Sequence, residues 1–550
     1  MYPARTTLTF RGRALVGVLR VVQGITIALA FTSGATAATL RIASQGDALS
    51  MDPHSLAETV QFSVTNNVYE GLTERDASFK IAPALATGWK QVNPTTWRFE
   101  LRKNVVWHDR TPFTADDVIF SWQRARAEGS DVKIFIAPIK EVVKVNDYTV
   151  DMVTDGPYPI LPELITNWYI MSRAWCVANQ ATRPVDRRKG IENVASFKAN
   201  GTGPLMVRER VPGVRTVFRR NAVYWRKLDS NVDEVVFNVI GNDATRVAAL
   251  LSGEVDVIDP VPPQDLSRVS SSKALRVVQG PENRVIFLGM DQKREELLYS
   301  SVKGRNPFKD RRVRQAFYQA IDMESIRTNV MRGGSNNMAL IVPPEVNGYA
   351  TDLSKRLPYN PEAARKLLSE AGYPSGFELT LNCPNDRYVN DVGTCQAVTA
   401  NLARVGIKVK LEAESKALWF PRILRRDTSF YLLGWSASTI DAHNALFAVA
   451  ATPGTDGRGS FNLGSYSNPK VDELIDRIAT TVDMGARNDS IREALRIHQE
   501  DIGHIPLHQP FLYWGVRRNV SVVQLPSARM PWQYIYVAED KTLASVAAKK

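Results

Sequence analysis

A chain of 550 residues is too long for one compact core, and its length points to two or three domains. With 44% hydrophobic and 23% charged residues and no biased tract, the composition is that of a globular protein and excludes a disordered or low-complexity chain. The net charge of +12 favours anionic ligands or surfaces only weakly, and part of it belongs to the first 37 residues.

Residues 1–37 read as an export signal. Arg5, Arg11, Arg13 and Arg20 form a positive start without an acidic residue, residues 21–31 are mostly apolar, and Ala35-Thr36-Ala37 is a small-residue cleavage site. The apolar run is shorter than the ~20 residues a membrane helix needs. No cysteine follows the cleavage site directly, so no lipid anchor is indicated. Taking four arginines from +12 leaves about +8 for the mature chain, which is expected to be exported and soluble.

Leu40-Arg41-Ile42-Ala43 opens as a short strand, followed by the loop Ser50-Met51-Asp52-Pro53-His54, a helix, and Val68-Tyr69-Glu70-Gly71-Leu72. Residues 96–101 alternate polar and apolar, the period of a half-buried strand. Asp109-Arg110-Thr111-Pro112 breaks the pattern with turn chemistry. Thr114 is placed to cap a helix, with Asp117 completing a capping box and Val118, Trp122 and Ala125 on one face. A second alternating segment covers residues 142–153. Gly201-Thr202-Gly203-Pro204-Leu205 lacks the lysine and the following Ser/Thr of a phosphate loop, and that reading is rejected.

Asn221-Ala222-Val223-Tyr224-Trp225 leads to a strand over residues 234–240 and a helix ending at Gly253, a natural C-cap. In the block from Asn306 to Ala316, Val313, Ala316, Phe317, Ala320 and Ile321 fit one buried helical face. Its basic cluster reads as a solvated helix face rather than a nucleic-acid surface, because no interleaved aromatics accompany it. Asn360-Pro361 and Asn468-Pro469 each start a helix; Gly372 ends the first, and Val471, Leu474, Ile475 and Ile478 face inward on the second. Residues 506–516 form a late apolar strand.

The run from Trp107 to Trp122, W-x-D-x-T-P-F-T-A-D-D-V-x-F-S-W, closely resembles the signature of the peptide-type solute-binding proteins of ABC importers, extracellular solute-binding protein family 5. The S-x-D-P-H, N-x-x-Y-W and Y-N-P-E-x-A blocks follow in the same order as in that family, so the resemblance covers most of residues 40–540. It implies an α/β periplasmic-binding-protein fold, with two lobes about a hinge and a smaller inserted β-rich domain. The expected boundaries are residues 38–75, 164–283 and 505–550 for the first lobe, 76–163 for the insert and 284–504 for the second lobe. The implied function is a monomeric periplasmic receptor that delivers short peptides or peptide-like carboxylates to an inner-membrane permease, with no cofactor, no nucleic acid and no catalysis.

The resemblance also proposes a site. Arg387 falls where dipeptide-binding relatives place a carboxylate-binding arginine, whose fork matches a carboxylate bidentately. Gly434-Trp435-Ser436-Ala437-Ser438 falls where the family has G-W-x-x-D, so Ser438 replaces the aspartate that holds the ligand amine. Either Asp441 takes that role, or the ligand lacks a free α-amine; the alternatives are an opine, a modified amino acid or a metal chelate. Trp435 and Ser436 are expected in the pocket wall and His443 as a ligand contact. Cys383 and Cys395 leave two readings open, a disulfide or two buried thiols. His498, His504 and His508 match no common zinc spacing, so no metal is expected. An exported hydrolase is the rival class, without an H-E-x-x-H, G-x-S-x-G or P-loop motif to support it.

Overall fold

Strands Val285–Met290 and Phe430–Trp435 are buried at every position, which only a sheet covered on both faces allows. They lie side by side, antiparallel, at the heart of a 12-stranded sheet in this computed structural model, which describes residues 38–455 and 457–538. The expected export signal, residues 1–37, lies outside the described residues, as do residues 539–550 of the expected first lobe. From one edge the path runs Lys408–Glu414, Glu378–Pro384, Phe430–Trp435, Val285–Met290 and Ile505–Arg517. It continues through Val257–Asp259, Ala38–Ser44, Val232–Val239 and Arg215–Arg220 to Leu205–Val211.

The strand Ile505–Arg517 joins two halves. Ile505, Pro506 and His508 pair with Val285–Met290, whereas Phe511 to Arg517 pair with Leu275–Pro281. The lobe boundary expected at residue 505 therefore sits at the head of a strand that serves both sides. One strand thus belongs to both halves of the sheet. A separate four-stranded antiparallel sheet forms the inserted domain, in the order Ala86–Asn93, Thr96–Leu101, Thr149–Thr154, Ile139–Asn146.

Buried polar groups fasten the parts. The Asp52 carboxylate takes both Arg124 guanidinium nitrogens at 2.8 and 2.6 Å, with both side chains fully buried. Arg124 belongs to the helix Ala115–Arg126, so the Ser50–His54 loop is pinned to the insert. Asp117 accepts the Thr114 N–H at 3.1 Å, as a capping box requires, and the Arg173 N–H at 2.9 Å. Gly201 and Gly203 pack on the 67–69 backbone, where a Cβ on Gly201 would stand 1.8 Å from the Val68 carbonyl oxygen. That close approach, not phosphate binding, explains the glycines.

Helix ends follow their residue chemistry. Asn360 caps Pro361–Glu370, Asn468 caps Pro469–Thr480, and Gly253 closes Asp243–Ser252 at φ 82°. Lys309, Arg311 and Arg312 of the basic cluster are exposed, the solvated face expected, and Arg314 alone turns inward. Arg314 is buried and donates to the carbonyls of Phe308, Lys309, Asp501 and Ile502, fastening the helix Arg311–Ala320 to the segment after Met484–Glu500. Its guanidinium is a staple because its five N–H donors can satisfy several carbonyls at once.

Cys383 and Cys395 are disulfide-bonded, and Cys176 is a buried free thiol that burial pushes up to about 12. The mature chain is therefore expected to show no thiol toward a thiolate-selective reagent when native, one when denatured without reductant, and three after reduction. Three thiols without reductant would contradict the bridge.

Candidate functional site

Glu58 sits at the meeting of the lobes. As the N-cap of the helix Thr59–Thr65, its carboxylate accepts the Val60 N–H at 3.0 Å and the Gln61 N–H at 2.8 Å. From the second lobe Arg387 Nε approaches Oε1 at 2.6 Å and Lys416 Nζ approaches Oε2 at 3.4 Å. Lys416 also donates to the Asp47 carbonyl at 2.5 Å. Burial alone would raise the Glu58 carboxyl, but Arg387, Lys416 and the two N–H donors outweigh it and hold the group at about 2. At Lys416 burial wins over Glu58, and the ammonium lies below the usual lysine range.

Beside this cluster lies a cavity walled by Glu58, Phe62, Arg284, Arg387, Trp435 and Ser436, among others. Arg284 is held by Glu282 at 2.5 Å and by the Thr59 hydroxyl, and Tyr388 lies between the guanidinium groups of Arg284 and Arg387 at 5.6 and 4.6 Å. Trp435 donates Nε1–H to Asn444 at 3.0 Å and packs 4.7 Å from the Phe461 ring, forming an aromatic wall. A second cavity, lined by Tyr69, Glu70, Glu74 and Arg75, adjoins the first. The two share Asn167, Ser438, Ser527 and Arg529.

All four shared residues carry a buried polar atom without a hydrogen-bond partner: Asn167 Nδ2, Ser438 Oγ, Ser527 Oγ and Arg529 Nε. Such atoms ordinarily cost about 1–3 kcal/mol each. Four of them lie on the one wall that the two cavities share.

The expected site residues separate into groups. Trp435, Ser436, Ser438 and Arg387 line the first cavity. Arg387, however, is committed to Glu58, so its charge is neutralised within the protein. Asp441, expected as an alternative amine partner, lines neither cavity. Its carboxylate accepts Arg487 twice, at 2.6 and 2.8 Å, Asn347 Nδ2 at 2.8 Å and the His443 N–H at 2.9 Å. Those donors fill the roughly four lone-pair sites of a carboxylate. His443, expected as a ligand contact, lines a different cavity with Tyr158 and Phe447, and burial holds its imidazole down at about 4. Asn167, Ser527, Arg529 and Glu58 escaped sequence reading, because nothing local to them distinguishes a pocket side chain from a loop one.

Glu58→Gln is expected to lower stability by a few kcal/mol at pH 7, since one partner of a buried charge cluster is lost. The depressed carboxyl stabilises the fold above its ordinary value of 4.5, and this contribution fades as pH falls through about 2. The gap between wild type and variant in urea denaturation should therefore narrow from pH 4.5 toward 2. A constant gap down to pH 3 would contradict the assignment.

Comparison with known proteins agrees with the architecture. Residues 80–456 match the family described as bacterial extracellular solute-binding proteins, family 5 Middle. The dipeptide-binding protein of Escherichia coli (strain K12) is 25% identical over 525 residues, 90% of this chain and 94% of that one. A solved structure of the ABC transporter-associated periplasmic binding protein DppA from Helicobacter pylori, in complex with the peptide STSA, superposes with a TM-score of 0.81 at 22% identity, covering 92% of this chain and 98% of the other. The binding protein AgaA from A.tumefacien R10, in complex with agropinic acid, also gives a TM-score of 0.81 at 22% identity, over 91% of this chain and 99% of that one. The chain belongs to family 5 of the bacterial extracellular solute-binding proteins.

Proposed function

We propose that the protein is the capture receptor of an ABC importer, working in the periplasm, and that it holds one short peptide or peptide-like carboxylate between its lobes. The observation that carries this reading is the shared wall of Asn167, Ser438, Ser527 and Arg529, with its four partnerless buried polar atoms. A dipeptide, the peptide STSA and agropinic acid, named for the three similar proteins, have a carboxylate in common. Ser438 cannot neutralise an ammonium, and Asp441 is occupied, so an opine-like solute without a free α-amine is the second reading.

Capture works through differential affinity for open and closed lobes. Closure brings Glu58 to Arg387 and Lys416, and the same movement surrounds the solute with the aromatic wall of Trp435 and Phe461. A ligand that supplies partners to these polar atoms favours the closed state by its own binding difference, because equal affinity for both states would shift nothing. The closed receptor is then the form an inner-membrane permease distinguishes from the open one. Capture rather than turnover is the chemistry this reading assigns to the cleft.

Mass spectrometry of the small molecules released when periplasm-purified protein is denatured tests the reading. One carboxylate-bearing solute near equimolar ratio is the expected result, with a raised melting temperature when it is added back. Release of nothing, together with no melting shift from peptides or opines, would contradict it. Disappearance of the solute on long incubation would favour a hydrolase instead.

A further inference from the structure

Every carboxylate in the walls of the two cavities already has its partners. Glu58 is held by Arg387, Lys416 and two backbone N–H groups. Glu70 accepts Thr202 Oγ1 at 2.7 Å, Tyr224 hydroxyl at 2.8 Å and Trp225 Nε1 at 2.9 Å, and burial raises its carboxyl to about 7. Glu74 is paired with Arg226 at 2.7 Å. Glu58 and Glu70 are thus saturated by protein donors, and Glu74 is already engaged by Arg226.

The cations differ. Arg284 and Arg387 are matched by Glu282 and Glu58. Arg529 and Arg75 form no ion pair among the described residues. The bonds of Arg529 are one long donation to the Tyr169 hydroxyl at 3.4 Å and a position 4.8 Å over the Phe62 ring, and its Nε is partnerless. Arg75 donates to the Thr439 carbonyl at 3.1 Å and also keeps a partnerless Nε, with Glu163 and Asp76 attracting it at longer range. Both line the second cavity, and Arg529 faces the first as well. The two guanidinium groups lie in one desolvated wall and repel each other, a cost that Glu163 and Asp76 offset at Arg75 alone and that a bound anion would offset for both. A neutral dipeptide brings one carboxylate and one ammonium; the second would meet these cations without a carboxylate to receive it.

We propose that Arg75 and Arg529 form a two-cation anion site in this wall, which selects a solute carrying two acidic groups and makes no provision for an ammonium. The inference rests on the receptor reading above and narrows it to dianionic solutes such as dicarboxylic peptide derivatives. Arg529, between the cavities, takes the carboxylate common to all ligands of the class. Arg75 takes the second acidic group and also draws the first-lobe segment to Thr439 of the second lobe.

Isothermal titration of the mature chain with Ala-Ala, N-acetyl-Ala-Ala and N-succinyl-Ala-Ala tests the proposal. The expected order is succinyl, acetyl, free amine, with at least about ten-fold between the first and last, a typical margin for a charge-assisted bond gained. Arg75→Gln should abolish the gain of the succinyl over the acetyl probe, Arg75→Lys should keep part of it, and Arg529→Gln should weaken every probe. Ala-Ala binding as tightly as N-succinyl-Ala-Ala would overturn the inference while leaving the receptor reading intact. So would an unchanged succinyl gain in Arg75→Gln. If none of the probes binds, the solute released by denaturation decides: two carboxyl groups on methyl esterification sustain the proposal, and one carboxyl with a dimethylatable amine overturns it. A chain that releases no solute and binds no peptide or opine sinks the receptor reading and this inference together.

Discussion

One carboxylate, that of Glu58, ties the two lobes to each other and sets the electrostatics of the cleft. Its position is dictated locally, since it caps a short helix of the first lobe, and its burial requires compensation from elsewhere. The second lobe supplies Arg387 and Lys416. Because the cluster is internally matched, it costs the cleft its most obvious carboxylate receptor and leaves the recognition of charge to Arg529 and Arg75.

The same accounting explains why residues that look most functional in the chain are scaffolding. Asp52, Asp117, Glu70 and Asp441 are acidic, embedded in motif-like blocks and buried, yet each is saturated by protein donors. A buried carboxylate with four donors is saturated; a buried guanidinium with one distant acceptor still has N–H groups to give. The working wall is thus recognised by what its atoms lack, not by the residue types that compose it.

Much of the fold is readable from residue order. The alternation at residues 96–101, the Thr114–Asp117 box, the Asn-Pro helix starts and Gly253 act through neighbours within a few positions, and the structure forms each of them. The site is harder because pairing across lobes is decided by three-dimensional approach. Arg387 and Glu58 are far apart in sequence, and nothing near either predicts that they meet. Arg529 follows the last long strand in an undistinguished loop, and only its closeness to Phe62, Tyr169 and Ser438's cavities gives it a role. The departure at Ser438 was legible, and its meaning depended on Asp441, whose four donors come from three distant or adjacent segments.

An unneutralised arginine on the wall between two closing lobes is proposed to receive the solute's acidic group. A crystal structure of the protein taken from the periplasm without refolding tests it most directly. Solute density is expected between the lobes, with an acidic group within hydrogen-bonding distance of the Arg529 guanidinium and with Glu58 still joined to Arg387. Density whose acidic group lies on Arg387, with Glu58 displaced and Arg529 untouched, would contradict it.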